Sequence, residues 1–426
     1  MSAPVLFASA QDQGYTELNL EEAVALALEY NLNLQKERID LEASGYSEKN
    51  LWSEIFPSIN ANASAGYANP IFTGSPSFDS GFNYSVGLGL SLSLNAGIPY
   101  AMRNIRLAHQ GSILRYEDAC NQLSILVTKK YYSLVAEKNN LALIEEVLNL
   151  AQRQYTRSEI SFRNGLTGEL SLMQSRLAVE NARYNLVSAS TSYANSMAEF
   201  LAMLGIPFDS SVTLSGEINI VRIAADPEIL ITEHLPRRPD ILRSTQEIER
   251  LNYAQLQSAL QSRAPSLSLS MDWSISAFDP FAERMNARAG LSIPIDPWIP
   301  GTARNQTVRR ADNALEKARL DLAITEDSAK NQIRSLAALL RNSWDSITIA
   351  RLGLSTAQRS YQLTEQGFLN GTVEALTLED ARNNMANARQ RLLQSELSYF
   401  NMILDLSAAL NIDWKNLIQT FGVTGE

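Results

Sequence analysis

A tight turn that occurs twice constrains this chain more than any other sequence feature. The two copies lie at Tyr155–Leu172 and Tyr361–Leu378, and their central glycines, Gly165 and Gly371, are 206 residues apart. The same offset holds without a gap over the surrounding segments, residues 151–206 and 357–412. About twenty positions in these segments are identical, and self-similarity on this scale is a sign of repeated architecture. The chain is therefore predicted to consist of two structurally similar halves.

The chemistry of the turn predicts a helix on each side of it. Asn164-Gly165 and Asn370-Gly371 can adopt the positive φ that ends a helix, because glycine has no Cβ to clash there. We therefore predict two helical hairpins, with tip turns at residues 164–168 and 370–372.

A seven-residue spacing of apolar side chains flanks each turn. Before the first turn these side chains are Val127, Leu134, Leu141, Leu148, Tyr155 and Phe162, and before the second they are Ile333, Leu340, Ile347, Leu354, Tyr361 and Phe368. Sustained heptads are typical of long helices that pack along a supercoiled apolar contact.

The predicted elements have the same order in each half. The first repeat covers residues 20–206, with a helix from Leu20 to Ile55, strands within 58–97, a long helix at 101–163 and a helix at 166–204. The second repeat covers residues 229–412, with a helix opened by Arg238-Pro239-Asp240, strands within 265–296, a long helix at 302–369 and a helix at 373–411. Residues 207–228 form a linker with a strand-like piece at Val212–Ile220, and residues 413–426 form a tail without a clear pattern.

Each half also contains a strand pair with one apolar face and one face of small polar residues. In the second strand of the first pair, Tyr84, Val86, Leu88 and Leu90 alternate with serine and glycine. The same alternation returns in the second half from Leu267 to Ile275. Side chains with a period of two predict strands, and about ten residues suffice to cross a bilayer at the tilt of barrel strands.

Composition excludes several classes of protein. The net charge of −10 and the pI near 5.0 argue against nucleic acid as a partner, because phosphate backbones require a basic surface. The sequence contains no run of eighteen or more apolar residues, so no membrane-spanning helix is predicted. The single cysteine, Cys120, excludes an internal disulfide and falls on the heptad spacing, which favours a packed thiol.

Ala8-Ser9-Ala10 resembles the end of an export signal, so residues 1–19 are interpreted as a signal remnant and N-terminal extension.

The sequence gives no support for catalysis. His109 and His234 are the only histidines, and neither lies in a metal-binding or nucleotide-binding motif. We therefore predict no active site, no metal site and no cofactor.

Four amphipathic strands in one chain imply an assembly. In lipid, each unpaired backbone group at a sheet edge costs several kcal/mol, and closed barrels need at least about eight strands. Several copies of the chain must therefore close one barrel, although the strand count alone does not distinguish two chains from three.

The order of these elements resembles the TolC family of outer-membrane channels. The resemblance rests on the two repeats, on Gly165-Leu166 and Gly371-Thr372 at the turns, and on Arg238-Pro239-Asp240. It implies a mainly α fold with a small β part, assembled as a homotrimer with a twelve-stranded barrel in outer-membrane lipid and a long periplasmic α-helical barrel. It also implies that a periplasmic adaptor docks on the helical tips and that an inner-membrane transporter acts indirectly through that adaptor.

The same resemblance implies functional residues near the turns. The expected docking tips are Asn164, Gly165, Leu166, Asn370, Gly371 and Thr372. Family members carry acidic rings at the positions of Thr377 and Asp380, so the first departs from the pattern and the second matches it. Glu374 and Glu379 are weaker candidates for the same entrance.

A polar link closes the entrance of family members, and this chain departs from it. The aligned positions hold Phe368, Val373 and Ser171 in place of a tyrosine, an arginine and an aspartate. Apolar contact is the expected substitute for that link.

The predicted function is the outer-membrane exit duct of an efflux pump or of a type I secretion system, and the sequence does not separate the two. The alternative is a soluble coiled-coil scaffold of the envelope. That alternative explains the heptads but not the two matched pairs of alternating strands.

Overall fold

The computed structural model describes residues 17–68, 81–207, 212–216, 220–276, 282–370 and 372–423. The predicted signal motif Ala8-Ser9-Ala10 lies outside these residues. The chain divides into two compact units: unit 1 comprises residues 1–38, 116–239 and 326–426, and unit 2 comprises residues 39–115 and 240–325.

Most of the described chain is helical. The α-helices are α1 (Leu20–Tyr30), α2 (Leu32–Lys49), α3 (Ile98–Arg163), α4 (Glu169–Leu204), α5 (Pro227–His234), α6 (Pro239–Arg263), α7 (Ala303–Leu369), α8 (Ala375–Leu410) and α9 (Trp414–Phe421). Short 3-10 helices lie at Leu51–Ile55, Leu235–Arg237 and Asp296–Trp298. Within the described ranges, no helix has both the length and the apolar character needed to cross a membrane.

The first predicted helix is interrupted at Asn31, where one continuous helix was expected. Asn31 adopts an extended conformation at the end of α1. Its Oδ1 accepts hydrogen bonds from the backbone N–H groups of Asn33 and Leu34, while its Nδ2 donates to the Met203 carbonyl at 2.9 Å. An asparagine that caps a new helix in this way competes with continuation of the old one.

The two helices that follow the turns begin later than predicted. α4 starts at Glu169 rather than at 166, and α8 starts at Ala375 rather than at 373. Gly168 and Glu374, which precede these helices, both have extended backbones. The residues after each turn therefore redirect the chain before the helical hydrogen bonds resume.

The strands of unit 2 form one antiparallel sheet. Its members are β2 (Ser58–Ala68), β3 (Gly81–Asn95), β6 (Ser266–Ser276) and β7 (Ala282–Ser292), in the order β2-β3-β6-β7. The pairing of β3 with β6 joins strands from the two repeats. The second predicted strand region ends at Ser292 rather than near 296, because Pro294 has no N–H to donate to a ladder.

The predicted alternation matches the register of this sheet. Ile59, Leu90, Met271 and Ala287 follow one another across the four strands on one face. The neighbouring row is polar or small, with Asn60, Gly89, Asp272 and Asn286. The apolar face is exposed in the single chain, since Ile59 is 64% and Leu291 is 69% accessible.

The described part of unit 1 contains two large hydrophobic cores, one for each repeat, and a smaller cluster of Ala151, Val179 and Ala182. The first core includes Leu134 and Phe200, and the second includes Ile333 and Tyr399. Trp414 packs against both cores. Heptad positions near the middle of the long helices are therefore core residues, as the spacing predicted.

Short strands border these cores. β1 (Glu17–Leu18) pairs in parallel with β4 (Thr213–Leu214), and β5 (Arg222–Ile223) pairs antiparallel with β8 (Gly422–Val423). The N-terminal extension and the linker therefore form regular structure, and the single strand-like piece expected at 212–220 is replaced by β4 and β5.

The C-terminal tail was wrongly predicted to lack a pattern. Asp413 caps α9 by accepting from the Lys415 N–H, and Leu417 on that helix is buried. The spacing of Trp414, Leu417 and Phe421 is that of an amphipathic helix. That pattern is short, at eight residues, and its apolar face has a partner only in the folded protein.

Candidate functional site

The first tip turn closes α3 with a left-handed glycine. Gly165 has φ +72°, and its N–H donates to the Phe162 carbonyl at 2.9 Å. The Leu166 N–H donates to the Ser161 carbonyl at 2.8 Å, which satisfies a carbonyl at the helix end. Asn164 is exposed, and Leu166 is 76% accessible. The turn thus presents an apolar side chain to solvent.

The second tip turn repeats this hydrogen bond at the same offset. The Thr372 N–H donates to the Gly367 carbonyl at 2.9 Å, and these two residues correspond to Leu166 and Ser161. Asn370 and Thr372 are exposed. Gly371 lies outside the described residues. Val373 is half-buried and packs against Gly367, where a Cβ would lie 2.6 Å from Cγ2 of the valine.

The predicted entrance residues of α8 lie on its exposed side. Glu374 immediately precedes the helix and is exposed, as are Thr377 and Asp380 in its first two turns. Acidic groups near a helix N-terminus are stabilised by the helix dipole.

A cavity of about 220 Å³ lies beside the tips within unit 1, between the hairpin α3–α4 and the hairpin α7–α8. Three of the predicted residues, Ser171, Phe368 and Glu379, line it. Asp380, Thr377, Glu374 and Val373 are not among its lining residues. The structure thus separates the predicted set into three cavity-lining residues, three exposed residues on or next to α8, and the half-buried Val373.

Charged residues line the same cavity one to three helical turns from the tips. Tyr361 donates from its hydroxyl to Oε1 of Glu365 at 3.2 Å. Burial raises the pKa of the Tyr361 phenol above its ordinary value, and the negative charge of Glu365 adds to the effect. Arg382 is buried, with Nη2 3.7 Å from Oε1 of Glu379.

Sequence reasoning missed Tyr361 and Arg382 as residues of this site, and Glu365 with them. Tyr361 was assigned to the heptad contact between helices. Arg382 has an identical repeat counterpart, Arg176, which was the one available signal. Identity between repeats could not show which of the two arginines becomes buried.

The described residues offer no candidate metal centre, since no group of three or more His, Cys, Asp and Glu side chains is placed to hold an ion. His109 instead lies 3.0 Å from the Ser44 hydroxyl through Nδ1, and His234 lies 3.7 Å from Glu233 through Nε2.

The sequence pattern of the family described as outer membrane efflux protein matches residues 23–206 and 230–411. These two ranges comprise most of the chain and follow its two repeats. The chain belongs to the outer membrane efflux protein family. It is accordingly an outer-membrane protein with a large helical portion on the periplasmic side, and the soluble-scaffold alternative is not supported.

Two related proteins agree with this family assignment. The toluene efflux pump outer membrane protein TtgC of Pseudomonas putida is 23% identical over 421 residues, covering 95% of this chain and 86% of that protein. The cation efflux system protein CusC of Escherichia coli is 22% identical over 407 residues, covering 92% and 86%.

Solved structures show the same fold. The Campylobacter jejuni CmeC outer membrane channel superposes with a TM-score of 0.75 at 20% identity, covering 94% of this chain and 88% of that chain. A crystal structure of CusC gives a TM-score of 0.73 at 18% identity and covers 96% of both chains. The mainly α fold with a small sheet and two tandem repeats is therefore a TolC-like fold.

Proposed function

We propose that three copies of this chain form the passive exit duct of a tripartite efflux pump. The observation that carries the proposal is the sheet of unit 2, which has four strands, an exposed apolar face and edge strands β2 and β7. Such a sheet is costly in lipid until its edges are paired. Three copies would supply twelve strands, with the polar row around Asn60 and Asp272 facing a wet lumen.

Native mass spectrometry of the purified protein in detergent tests the assembly, and planar-bilayer recording tests the conduit. We expect a trimer with a stable ion conductance. A stable monomer without conductance would overturn the proposal.

The exposed tips are proposed as the docking surface for a periplasmic adaptor. The residues are Asn164, Gly165, Leu166, Asn370, Gly371 and Thr372. Leu166 supports this role because a side chain that is 76% accessible contributes little to the fold of the single chain.

Leu166→Asp tests the docking surface directly. We expect the variant to assemble normally but to lose co-purification with the adaptor and to sensitise cells to efflux substrates. Val187→Asp on α4, where the valine is 60% accessible, is the matched control for a new surface charge. Normal adaptor capture and normal efflux by Leu166→Asp would contradict the docking role.

Asp380 is proposed to form an acidic ring at the periplasmic entrance of the trimer, with Thr377 and Glu374 nearby on the exposed side. Phe368, Val373 and Ser171 are proposed to close the entrance in place of a polar link.

Rings of carboxylates select cations in channels. Asp380→Asn should therefore reduce the preference for cations and weaken block by multivalent cations, while Asp345→Asn, the charge-matched control on α7, should do neither. Unchanged selectivity in Asp380→Asn would remove the ring from the proposal.

Efflux is favoured over protein secretion as the process served. The support is that TtgC is named as the outer membrane protein of a toluene efflux pump and CusC as a protein of a cation efflux system. Deletion of the gene should then increase sensitivity to small toxic compounds or metal ions. Loss of a secreted protein without any such sensitivity would favour type I secretion.

The duct is proposed to have no catalytic step and no cofactor, so pumping energy would come from the inner-membrane transporter.

A further inference from the structure

The cavity beside the tips contains a buried cation with an unused hydrogen-bond donor. Arg382 is 7% accessible, and its Nε has no hydrogen-bond partner among the described residues. The nearest carboxylate oxygen, on Glu379, is 3.7 Å from Nη2, which is beyond hydrogen-bond distance. A buried donor without a partner costs free energy. An anion that accepts a hydrogen bond from this N–H group would remove that cost.

The charges around the cavity also favour an anion. Its lining includes three arginines, Arg153, Arg157 and Arg382, and two glutamates, Glu365 and Glu379. Glu365 accepts the hydroxyl of Tyr361, which partly satisfies that carboxylate. The lining therefore carries a net positive charge beside the Arg382 guanidinium, whose Nε–H is unused.

Apolar side chains also line the cavity. Phe368, Leu376 and Leu378 contribute to the wall. The volume of about 220 Å³ exceeds the roughly 30 Å³ share of one water several-fold, so the cavity has room for a small organic molecule. A guanidinium presents its N–H groups in the planar fork that matches a carboxylate.

We propose that this cavity binds a small organic carboxylate. The carboxylate accepts hydrogen bonds from Arg382, and the hydrocarbon part lies against Phe368 and Leu376. Arg153 and Arg157 add attraction for the negative charge from α3. This binding goes beyond the proposed duct function and does not depend on it, because the cavity is formed within one chain.

Isothermal titration calorimetry of the purified full chain with benzoate at pH 7.5 tests the site, with benzamide as the neutral probe of similar shape. We expect saturable binding of benzoate at one site per chain and at least tenfold weaker binding of benzamide. Absence of saturable benzoate binding, or equal binding of the two probes, would overturn the proposal.

The repeat supplies the matched control variant. Arg382→Gln should weaken benzoate binding at least tenfold, whereas Arg176→Gln should leave it unchanged, because Arg176 occupies the same repeat position but is exposed. Equal affinities of these two variants would locate the anion elsewhere and defeat the proposal.

A second variant keeps the test decisive if Arg382→Gln does not fold, as judged by circular dichroism and gel filtration. Arg157 lies on an exposed part of α3, so Arg157→Gln should fold normally and weaken benzoate binding several-fold. Full benzoate affinity in Arg157→Gln would then count against this cavity as the site. Conductance measured on the same preparations would show separately whether the duct function holds.

Discussion

The two helical hairpins share a backbone but differ in where they place charge. Both turns use the same hydrogen bond, from Leu166 to Ser161 and from Thr372 to Gly367. Both return helices end in a left-handed residue, Gly205 with φ +74° and Asn411 with φ +55°. The repeat therefore extends to the level of individual caps.

The charged side chains of the hairpins differ more than their backbones. In the first hairpin, Arg163 donates to Glu159 at 2.7 Å on the surface. In the second, Leu369 takes the place of Arg163 in the sequence, and the counterpart of Glu159, Glu365, accepts a tyrosine hydroxyl instead. Arg176 is exposed while Arg382 is buried. Equivalent positions of the two hairpins thus hold either solvated or buried charges, depending on what packs against them.

The largest expected difference between the repeats lies at their C-caps. Gly205→Ala should destabilise the protein by about 3 kcal/mol, because positive φ disfavours a Cβ and that atom would lie 2.7 Å from Cβ of Tyr30. Asn411→Ala, the repeat counterpart, should cost only about 1 kcal/mol, since asparagine already has a Cβ there. Thermal unfolding followed by circular dichroism measures both. Equal losses would show that the contact with Tyr30 is unimportant.

The next largest difference involves the aligned tyrosines Tyr193 and Tyr399. The hydroxyl of Tyr399 donates to the Val221 carbonyl at 3.1 Å and accepts from the Ile223 N–H at 2.9 Å. Tyr399→Phe would leave these backbone groups without that partner, at a cost of about 2 kcal/mol. Tyr193 is only partly buried, so Tyr193→Phe should have a smaller effect. The same unfolding measurement would refute this reasoning if Tyr193→Phe proved the more damaging change.

A smaller effect is expected on the titration of Tyr361. Its pKa is raised by burial first, and then by the charge of Glu365 and the hydrogen bond to it. Glu365→Gln removes the negative charge that disfavours the phenolate, so the pKa of Tyr361 should fall toward its ordinary value. Ultraviolet titration, with the Tyr361→Phe difference spectrum as the assignment, measures the change. Glu159→Gln is the repeat control and should leave the Tyr361 curve in place, and a similar shift in both variants would contradict a local cause.

The smallest effect is expected for the surface pair of the first hairpin. Arg163→Ala removes an exposed ion pair with Glu159, which lies one helical turn away. Such pairs contribute about 0.5 kcal/mol or less. The unfolding midpoint should shift by no more than a degree or two and should depend on salt. A loss comparable to that of Tyr399→Phe would show that the first hairpin also relies on its charges.

The sequence predicted the elements that depend on local pattern. Heptads, glycine turns and strict alternation each report which residues share a face within about two helical turns or one strand, so the long helices and the strands were found close to their observed positions. The helix break at Asn31 was missed because its cap includes a hydrogen bond to Met203, a residue 172 positions away. α9 was missed because its apolar face is satisfied only by cores assembled from distant segments.

By itself, the sequence determined the repeat, the hairpins, the strands and the turn glycines, since these follow from backbone preference and periodicity. Only the tertiary structure decided that β3 pairs with β6, that Trp414 packs against both cores and that Arg382 rather than Arg176 is buried. The physical reason is that burial depends on which elements far along the chain pack against a residue. Two positions with the same residue and the same local pattern can therefore have different neighbours and different chemistry.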